Sequence, residues 1–497
     1  MKGFFLLALA LVATALVVPP HWWRIDSPSF LFLIGIIGLW RYGWGLLHLI
    51  RSIVYRRIVF PRMRRKVTSM GTLALPPHVY LLVTTFRIPA STTERVYRGA
   101  IEEALRSGLP STLIASIVEA SDEVLIRRIF ASYAATRRLS LTMIRIAGTG
   151  KRDALAEGFR AIARDRPAAG AAVCVIDGDT ILEPGLLRSS LPFLKAYPRA
   201  GAFTTDEVCE VEGSRVFRDW YSMRFAQRHI LMSSMGLSRR VLTLTGRMSA
   251  FRADVVCDPS FIAMVQEDYV DHWRYGRLKF LTGDDKSTWF WLLRSGYEML
   301  YIPDVRINTI ESPPHPDFGI ASTQLMMRWF GNMLRTNSRA LALGPRRTGL
   351  FTWWAVLDQR ASMWTSLTGL TGALLLATTG RFDLVIAYLY WVAISRMAQT
   401  LLLLTARRQV SWTYPFLLYY NQIYGSAIKT YMLFHLDRQK WTRQKTVLTK
   451  DTNRWERGWT SFGSGGAHLA SILFFITAVG IQIDVFTIDL IAAVIPF

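Results

Sequence analysis

Two patterns of hydrophobic residues divide this chain, one near its ends and one in its middle. Near both ends, long apolar runs are almost free of charge, whereas the middle alternates short apolar segments with polar ones. A helix that crosses a bilayer needs about 20 mainly apolar residues. The pattern therefore predicts membrane spans over five runs: Phe4–Val18, Phe30–Ile50, Met363–Thr379, Leu384–Leu404 and Ala467–Ile483.

Three segments near the ends need separate treatment. Phe4–Val18 also fits the apolar region of a signal peptide, but the second run that follows closely favours a retained span. Tyr414–Leu436 is apolar with scattered polar residues, and a span there would export the basic residues that follow it. We interpret it as interfacial or re-entrant. The tail, residues 484–497, is too short to cross a bilayer alone.

The middle of the chain has the pattern of a soluble α/β domain. Strands are predicted at Val79–Thr85, Leu113–Val118, Leu141–Ile146 and Ala172–Ile176, and helices at Thr92–Ser107, Asp122–Tyr133 and Ala154–Arg164. Strands that alternate with helices of this length indicate a parallel sheet. The predicted division is residues 1–60 as two N-terminal transmembrane helices, 61–345 as a cytoplasmic domain with interfacial helices, and 346–497 as a C-terminal transmembrane region.

The distribution of Lys and Arg along the chain predicts that many of them lie beside the membrane. The chain has 497 residues, 51% of them hydrophobic, and a formal net charge of +23. Lys and Arg cluster next to the apolar runs, above all in residues 51–66, which is typical of a cytoplasmic face against anionic lipid. This location disfavours nucleic acid as the partner, although an anionic substrate or polymer also fits. The three cysteines are isolated, so neither a disulfide framework nor a zinc site is indicated.

The segment Ala171–Ile181 contains the first candidate site. A buried strand ends here in Asp177-Gly178-Asp179, and the carboxyl ends of strands are where open α/β sheets bind ligands. Gly178 is predicted to let the backbone turn so that both acids converge. Two carboxylates suit Mg²⁺ or Mn²⁺ held largely by substrate phosphates. The alternative is a turn whose acids cap the next helix.

A second acidic pair, Asp284-Asp285, precedes an amphipathic segment that begins at Trp289. A carboxylate at the start of a helix can act as a general base for a sugar hydroxyl. The alternative is an ordinary helix N-cap.

The third candidate is a Gln-x-x-x-Arg-Trp pattern in Gln324, Arg328 and Trp329. Residues four apart share one helix face, so an arginine can bind phosphate there while an indole stacks on a sugar. An interfacial helix with a snorkelling arginine is the alternative.

These three patterns in this order, followed by apolar spans, resemble the processive family-2 glycosyltransferases, which include cellulose, chitin and hyaluronan synthases. Within that family the chain is most similar to the alginate-polymerising branch, from about Phe30 to Lys445. The segments that carry this likeness are Phe32–Gly35, Trp40–Tyr42, Gly148–Asp153, Arg224–His229, Thr282–Ser287 and Tyr419–Gln422.

The resemblance implies a GT-A-like α/β domain inserted between N-terminal and C-terminal transmembrane helices. It assigns a divalent metal to Asp177 and Asp179, the catalytic base to Asp285, and a supporting role to Asp284. Donor-binding residues are expected at Thr84, Thr85, Glu119, Lys151, Arg152, Gln324, Arg328 and Arg443. Acceptor-binding residues are expected at Trp329, Thr245 and Gly246. Two positions depart from the family pattern, since Arg152-Asp153 follows Lys151 and Glu119 replaces the usual nucleotide-binding aspartate.

The implied reaction is inverting transfer from GDP-mannuronate to the 4-hydroxyl of a growing β-1,4 polymannuronate chain, which then passes through the enzyme's own membrane channel. The implied location is the bacterial inner membrane, with the catalytic domain in the cytoplasm. A separate membrane co-polymerase that senses cyclic di-GMP is the implied partner besides the bilayer. Arg87, Arg247 and Lys286 are candidates for sugar carboxylate contacts. Arg41, Arg360 and Arg396 either line the exit path or snorkel.

Three alternatives remain open from the sequence. The first is a related synthase that uses a UDP-sugar. The second is a non-processive transferase to a lipid acceptor, and the third is a non-catalytic export channel.

Overall fold

The structure is a computed structural model that describes residues 2–23, 26–133, 138–439 and 454–486. It contains two compact units. One contains Leu49–Leu357, and the other contains helices from both ends of the chain.

The helices, in chain order, are α1 (Lys2–Val17), α2 (Pro28–Val54), α3 (Phe60–Ser69), α4 (Ala90–Ser107), α5 (Ala120–Ala131), α6 (Lys151–Arg164), α7 (Leu186–Ser190), α8 (Pro192–Ala196), α9 (Arg215–Gly236), α10 (Ala253–Val256), α11 (Pro259–Gln266), α12 (Asp284–Arg294), α13 (Phe318–Ala342), α14 (Gly344–Thr348), α15 (Leu350–Thr365), α16 (Thr368–Thr378), α17 (Phe382–Leu402), α18 (Tyr414–Phe434) and α19 (Arg454–Gln482). The strands are β1 (Val79–Thr84), β2 (Ser111–Ile117), β3 (Leu139–Arg145), β4 (Ala172–Asp177), β5 (Thr180–Leu182), β6 (Ala200–Val211), β7 (Met248–Arg252), β8 (Tyr269–His272), β9 (Gly276–Lys279) and β10 (Glu298–Glu311).

A mixed sheet forms the centre of the first unit. Within the described residues it has eight strands in the order β3-β2-β1-β4-β7-β6-β10-β5. The strands β3, β2, β1 and β4 are parallel, as predicted, but β7 is inserted antiparallel between β4 and β6. The prediction of a parallel sheet is therefore right for the four strands predicted, and in the other half β6 and β10 run in the same direction while β7 and β5 run against them. β7 is short and follows a long helix and loop, so local periodicity did not indicate its direction.

The predicted strand that precedes the first acidic pair is buried on both sides. Val173, Cys174 and Ile176 of β4 are fully buried between neighbouring strands and the covering helices. Such burial on both faces explains why this strand is a continuous apolar run rather than an alternating one. Thr84 of β1 lies directly beside Asp177 of β4 in the parallel register. The sheet thus brings two of the predicted site residues to one edge.

Gly178 lies in a turn between β4 and β5, and it is also required for close packing of two strands. Its backbone is not in the left-handed region. A Cβ atom at this position would lie 2.8 Å from the carbonyl oxygen of Thr84. A side chain here would therefore push β1 and β4 apart at their carboxyl ends. The glycine thus permits close approach of two strands at the turn between β4 and β5.

The second unit is helical, and helices of span length and composition occur at both ends of the chain. Among the described residues, three helical segments are long and apolar enough to cross a membrane, Pro28–Ser69, Phe382–Thr405 and Gly458–Gln482. The first of these contains a π-helical turn at Tyr55–Val59. The first segment of the chain, Gly3–Val17, is an apolar helix of less than span length.

The run 363–379 is not one helix, so its prediction as a single span is wrong. The helix is interrupted at Ser366-Leu367, between α15 and α16. The sequence Thr365-Ser366-Leu367-Thr368-Gly369 explains this break, because Ser, Thr and Gly have low helix propensity. With 11 residues, α16 is about 16 Å long, roughly half the hydrocarbon thickness of a bilayer.

Two of the basic residues within apolar helices have polar partners inside the helical unit. Arg41 forms an ion pair with Asp358, and Arg396 donates a hydrogen bond to the side chain of Gln422. These contacts favour an inward orientation over snorkelling, because a snorkelling side chain extends to the interface.

Candidate active site

A cavity of about 580 Å³ lies at the carboxyl ends of β1 and β4. It is lined by Thr84, Thr85 and Phe86 from the end of β1 and by Asp177, Gly178 and Asp179 from the end of β4. Further walls come from α9, the loop before β7, the start of α12, and α13. Parallel strands present their carboxyl ends at the same edge, so this is where an open α/β sheet forms a ligand site.

The backbone around the first acidic pair is fixed from both sides. The amide of Asp177 donates to the carbonyl of Arg247 at 2.9 Å, and the amide of Ile310 donates to the carbonyl of Asp179 at 2.8 Å. The residues after Asp179 form β5, which pairs with β10. Asp179 is therefore followed by a strand, and the alternative that these acids cap the next helix is wrong.

Lys151 links the two acidic motifs. Its Nζ atom lies 2.5 Å from Oδ1 of Asp177 and 3.1 Å from Oδ2 of Asp284. Burial opposes the charge on the ammonium, but the two carboxylates outweigh it and raise the pKa of Lys151. Burial raises the pKa of Asp177 to about 7, in opposition to Lys151 and together with repulsion from Asp179. Two motifs that are more than a hundred residues apart thus form one electrostatic cluster.

The loop before β7 closes over this cluster. A Cβ atom on Gly246 would lie 3.4 Å from Nζ of Lys151, 3.7 Å from Oδ2 of Asp177 and 4.0 Å from Cβ of Asp285. Thr245 shapes the same loop, because its hydroxyl accepts a hydrogen bond from the amide of Arg247 at 3.0 Å. Both predicted acceptor residues of this loop line the cavity.

Asp284 and Asp285 begin α12, and neither is its N-cap. The N-cap is Gly283, which has φ of 86° and provides no side-chain capping bond. A Cβ atom on Gly283 would also lie 2.8 Å from Cγ of Asn332. The ordinary N-cap alternative is therefore wrong, and both carboxylates are available to the cavity that they line. Their position at the helix N-terminus favours the ionised forms.

Asp285 has a hydrogen-bond donor in Thr243, whose hydroxyl lies 3.2 Å from Oδ2. Burial and the neighbouring Asp284 raise the pKa of Asp285, while Lys286, Lys151 and Thr243 act in the opposite direction. The Lys286 ammonium donates to the carbonyl of Leu242 at 2.7 Å, and burial lowers its pKa to about 8. A carboxylate with a raised pKa in a cleft has the properties of a general base.

The turn that precedes Asp284 and Asp285 is held in place by hydrogen bonds with neighbouring elements. Arg152 donates to the carbonyl of Thr282 at 3.1 Å and to the hydroxyl of Ser287 at 3.0 Å. The hydroxyl of Thr282 donates to Oδ1 of Asn332 at 2.8 Å. Arg152 is itself buried and is not among the residues that line the cavity. Its contacts are those of a residue that positions Asp284 and Asp285.

The helix α13 supplies the wall opposite the sheet. Arg328, Trp329 and Asn332 line the cavity, whereas Gln324 is exposed and does not line it. Trp329 stacks on the buried Trp220 of α9, with 5.6 Å between ring centroids and 23° between planes. Arg328 and Trp329 thus line the cavity. Gln324, which is about one helical turn before Arg328, does not.

Comparisons with known proteins show the family to which the chain belongs. The family model for "Glycosyltransferase like family 2" matches residues 76–332, about half of the chain. The chain belongs to glycosyltransferase family 2. "Glycosyltransferase alg8" of Pseudomonas syringae pv. tomato is 48% identical over 478 residues, which cover 95% of this chain and 97% of the relative. "Glycosyltransferase alg8" of Azotobacter vinelandii is 49% identical over 460 residues, which cover 92% and 93%.

A solved structure is also similar. A mannosyltransferase from Pyrobaculum calidifontis, in complex with GDP-Man and Mn²⁺, has a TM-score of 0.46 and 16% identity, and covers 80% of this chain and 98% of its own. The family membership of residues 76–332 and the observed sheet confirm the predicted GT-A-like α/β fold and the predicted family. The alg8 name of both relatives agrees with the predicted branch of that family.

The side chains available as metal ligands bear on the predicted metal site of this family-2 glycosyltransferase. Among the described residues, no group of three or more His, Cys, Asp or Glu side chains is arranged to hold a metal ion. A full protein cage is therefore absent from this part of the chain. Two carboxylates beside an open cavity fit the smaller protein share of a Mg²⁺ site, in which substrate phosphates and water supply the remaining ligands.

Besides Arg152 and Gln324, two further predicted donor-binding residues lie outside the cavity or outside the described residues. Glu119 is exposed at the start of α5 and does not line the cavity. Arg443 lies outside the described residues. Of the other donor-binding residues, Thr84, Thr85, Lys151 and Arg328 line the cavity.

The structure adds residues to which the sequence reasoning gave no role. Thr243, Asn332, Arg224, Arg228 and Glu311 all line the cavity. The spacing of four between Arg224 and Arg228, and between Arg328 and Asn332, was a signal for two of these helices. Thr243 and Glu311 gave no comparable signal, because a loop and a strand end bring them to the site.

Proposed function

We propose that this family-2 glycosyltransferase transfers mannuronate from GDP-mannuronate to the 4-hydroxyl of a growing β-1,4 polymannuronate chain. The observation that carries the proposal is the single cavity lined by Asp177, Asp179, Asp285, Arg328 and Trp329. The alg8 relatives, at 48% and 49% identity over nearly the whole chain, support the alginate branch of the family.

Donor binding uses the sheet edge. Thr84 and Thr85 contact the nucleoside, while Lys151 and Arg328 provide positive charge for the diphosphate. Asp177 and Asp179 would hold Mg²⁺ or Mn²⁺, which when bound supplies charge neutralisation for the departing diphosphate. Lys151 would then move between carboxylates and phosphate, since it already bonds Asp177 and Asp284. Glu119, Gln324, Arg152 and Arg443 remain donor-site predictions without a described cavity contact.

Acceptor activation uses the start of α12. The carboxylate of Asp285 takes the proton from the acceptor 4-hydroxyl as that oxygen attacks the anomeric carbon. The new carbon–oxygen bond forms while the bond from the anomeric carbon to the phosphate oxygen breaks, and GDP leaves with the electron pair. Asp284 supports this step by holding Lys151 at 3.1 Å. Attack from the face opposite GDP inverts the configuration.

The proposal extends to location and export. Three candidate spans and the basic residues beside them support a membrane-associated protein. We place it in the bacterial inner membrane with the catalytic domain in the cytoplasm, and assign passage of the polymer to its own transmembrane helices. Control by a cyclic-di-GMP-sensing co-polymerase belongs to the same proposal.

The test is donor choice and product length with the full chain in membrane vesicles. GDP-mannuronate, UDP-glucose and UDP-GlcNAc are compared, each with Mg²⁺ and with EDTA, and labelled product is sized by gel filtration. We expect long polymer only from GDP-mannuronate in the presence of Mg²⁺, and none from either UDP-sugar or in the presence of EDTA. A control variant, Glu123→Gln, removes a half-buried acid that pairs with Arg127 on α5, and it should give the same products as wild type.

The other results would contradict the proposal in different ways. Polymer from a UDP-sugar would indicate the related synthase. A single addition to a lipid would indicate the non-processive transferase. No hydrolysis or transfer with any donor would indicate an export channel without catalysis.

A further inference from the structure

Arg224, on α9, is a cavity residue with an unusual set of neighbours. Its guanidinium carbon lies 4.2 Å from the ring centroid of Trp329 and 5.0 Å from that of Trp220. These indoles are stacked on each other, and Trp220 is fully buried. The arginine is therefore held by flat ring faces at the Trp329 side of the cavity.

Four other cations of the cavity are already paired with acids or with the backbone. Lys151 contacts Asp177 and Asp284, Arg247 contacts Glu311 and Glu207, and Arg228 contacts Glu207. Lys286 donates to a backbone carbonyl. By contrast, Arg224 has neither an ion pair nor a hydrogen bond to any residue that the structure describes.

The chemistry of a stacked guanidinium indicates what it can bind. Cation–π contact uses the face or edge of the group without consuming its N–H donors. Those donors have the fork geometry that matches a carboxylate bidentately. Burial and nearby Arg247 lower the pKa of Arg224 to about 10, so the group remains protonated at neutral pH. An anion in the cavity would relieve an uncompensated, partly buried positive charge.

We propose that Arg224 is a specificity residue that binds the carboxylate of the uronate unit at the acceptor end of the polymer, beside Trp329. This inference rests on the proposed function, in which every unit of the product carries a carboxylate. The acceptor assignment follows from Trp329, the residue proposed to stack on the acceptor sugar, which is in contact with Arg224. The diphosphate of the donor has its own cations in Lys151 and Arg328.

The test compares acidic and neutral acceptors in vesicles that contain the full chain. Wild type, Arg224→Gln and Arg224→Lys are assayed with GDP-mannuronate and with either β-1,4 oligomannuronate or the same oligomer after reduction of its carboxyl groups. For Arg224→Gln we expect KM for the oligomannuronate to rise on the order of tenfold to a hundredfold, as for loss of a charged hydrogen bond. KM for the reduced oligomer and for the donor should stay within about twofold of wild type. Arg224→Lys should recover part of the affinity, because it keeps the charge without the fork.

The matched control is Arg218→Gln, which changes an exposed arginine on the same helix. An equal rise in KM for both oligomers would overturn the inference, because it indicates damage to the fold or to the tryptophan stack. A rise in donor KM alone would also overturn it, since Arg224 would then bind the donor. If wild type fails to extend either oligomer from GDP-mannuronate, the proposed function fails first, and the inference falls with it.

Discussion

The two ends of the cavity are built on different physical principles. At the acidic end, formed by Lys151, Asp177, Asp284 and Asp285, charged side chains lie against one another at the sheet edge and at a helix N-terminus. At the aromatic end, formed by Trp220, Trp329 and Arg224, one arginine lies against two stacked indoles. The first end pairs its lysine with carboxylates and keeps an excess of negative charge, whereas the second leaves a positive charge for the ligand.

This difference predicts what each end contributes. Charges that neutralise one another are sensitive to the removal of any member, because the remaining partner is left buried without compensation. Stacked rings tolerate change better and act mainly on affinity. Substitutions at the acidic end should therefore affect turnover and stability, and substitutions at the aromatic end should affect binding of the acceptor.

The largest effect is expected for Asp285→Asn. An amide cannot accept the hydroxyl proton, so kcat should fall by about a hundredfold to ten-thousandfold, the usual contribution of a general base. Initial rates with labelled donor measure this, and the amount of protein in the membrane should be unchanged. Full polymer synthesis by this variant would remove Asp285 from the catalytic role.

The next effect concerns Lys151→Met, which leaves Asp177 and Asp284 without their shared cation. We expect kcat to fall by less than in Asp285→Asn, and the free energy of unfolding to fall by about 1–3 kcal/mol, the range for leaving a buried polar group without its partner. Thermal unfolding in detergent measures the second quantity. The double variant Lys151→Met, Asp177→Asn should regain part of the stability but none of the activity. Equal stability of the single and double variants would contradict the proposed coupling.

A smaller effect is expected at the aromatic end. Trp329→Ala removes the ring that contacts Arg224 and stacks on Trp220. Loss of one stacked sugar contact should raise KM for the acceptor about tenfold while kcat changes less, since such contacts contribute roughly 0.5–1.5 kcal/mol. The KM of Trp329→Phe for the acceptor should lie between the values for wild type and Trp329→Ala. A fall in kcat as large as that of Asp285→Asn would erase the distinction between the two ends.

The smallest effect is expected for Thr243→Val. The hydroxyl of Thr243 bonds the ionised form of Asp285, so its removal should raise the pKa of that carboxyl further. The base form is then lost at a higher pH, and the acidic limb of the kcat profile should move to higher pH with little change on the alkaline side. Thr323→Val is the control, because its hydroxyl donates to the carbonyl of Gly319 within its own helix. An unchanged acidic limb would show that this bond does not tune Asp285.

Local pattern was sufficient for the parts of the molecule in which neighbours along the chain are also neighbours in space. The first four strands, the helices between them, and the long apolar runs follow from periodicity, because each depends on which face a residue presents. The two acidic motifs were also evident, since strand ends and helix starts have characteristic residues. That Lys151 contacts both motifs was not evident, because these contacts join segments that are distant along the chain.

The sequence by itself therefore determined the family, the α/β character of the centre, the apolar helices at the ends, and which acids to examine. Only the tertiary structure decided that β7 runs antiparallel, that Gly178 is needed for strand contact, that Gln324 misses the cavity, and that Arg224 has rings rather than acids as neighbours. The physical reason is that hydrophobic periodicity specifies which side of an element is buried. The partner that a polar side chain meets there depends on packing between elements far apart in the chain.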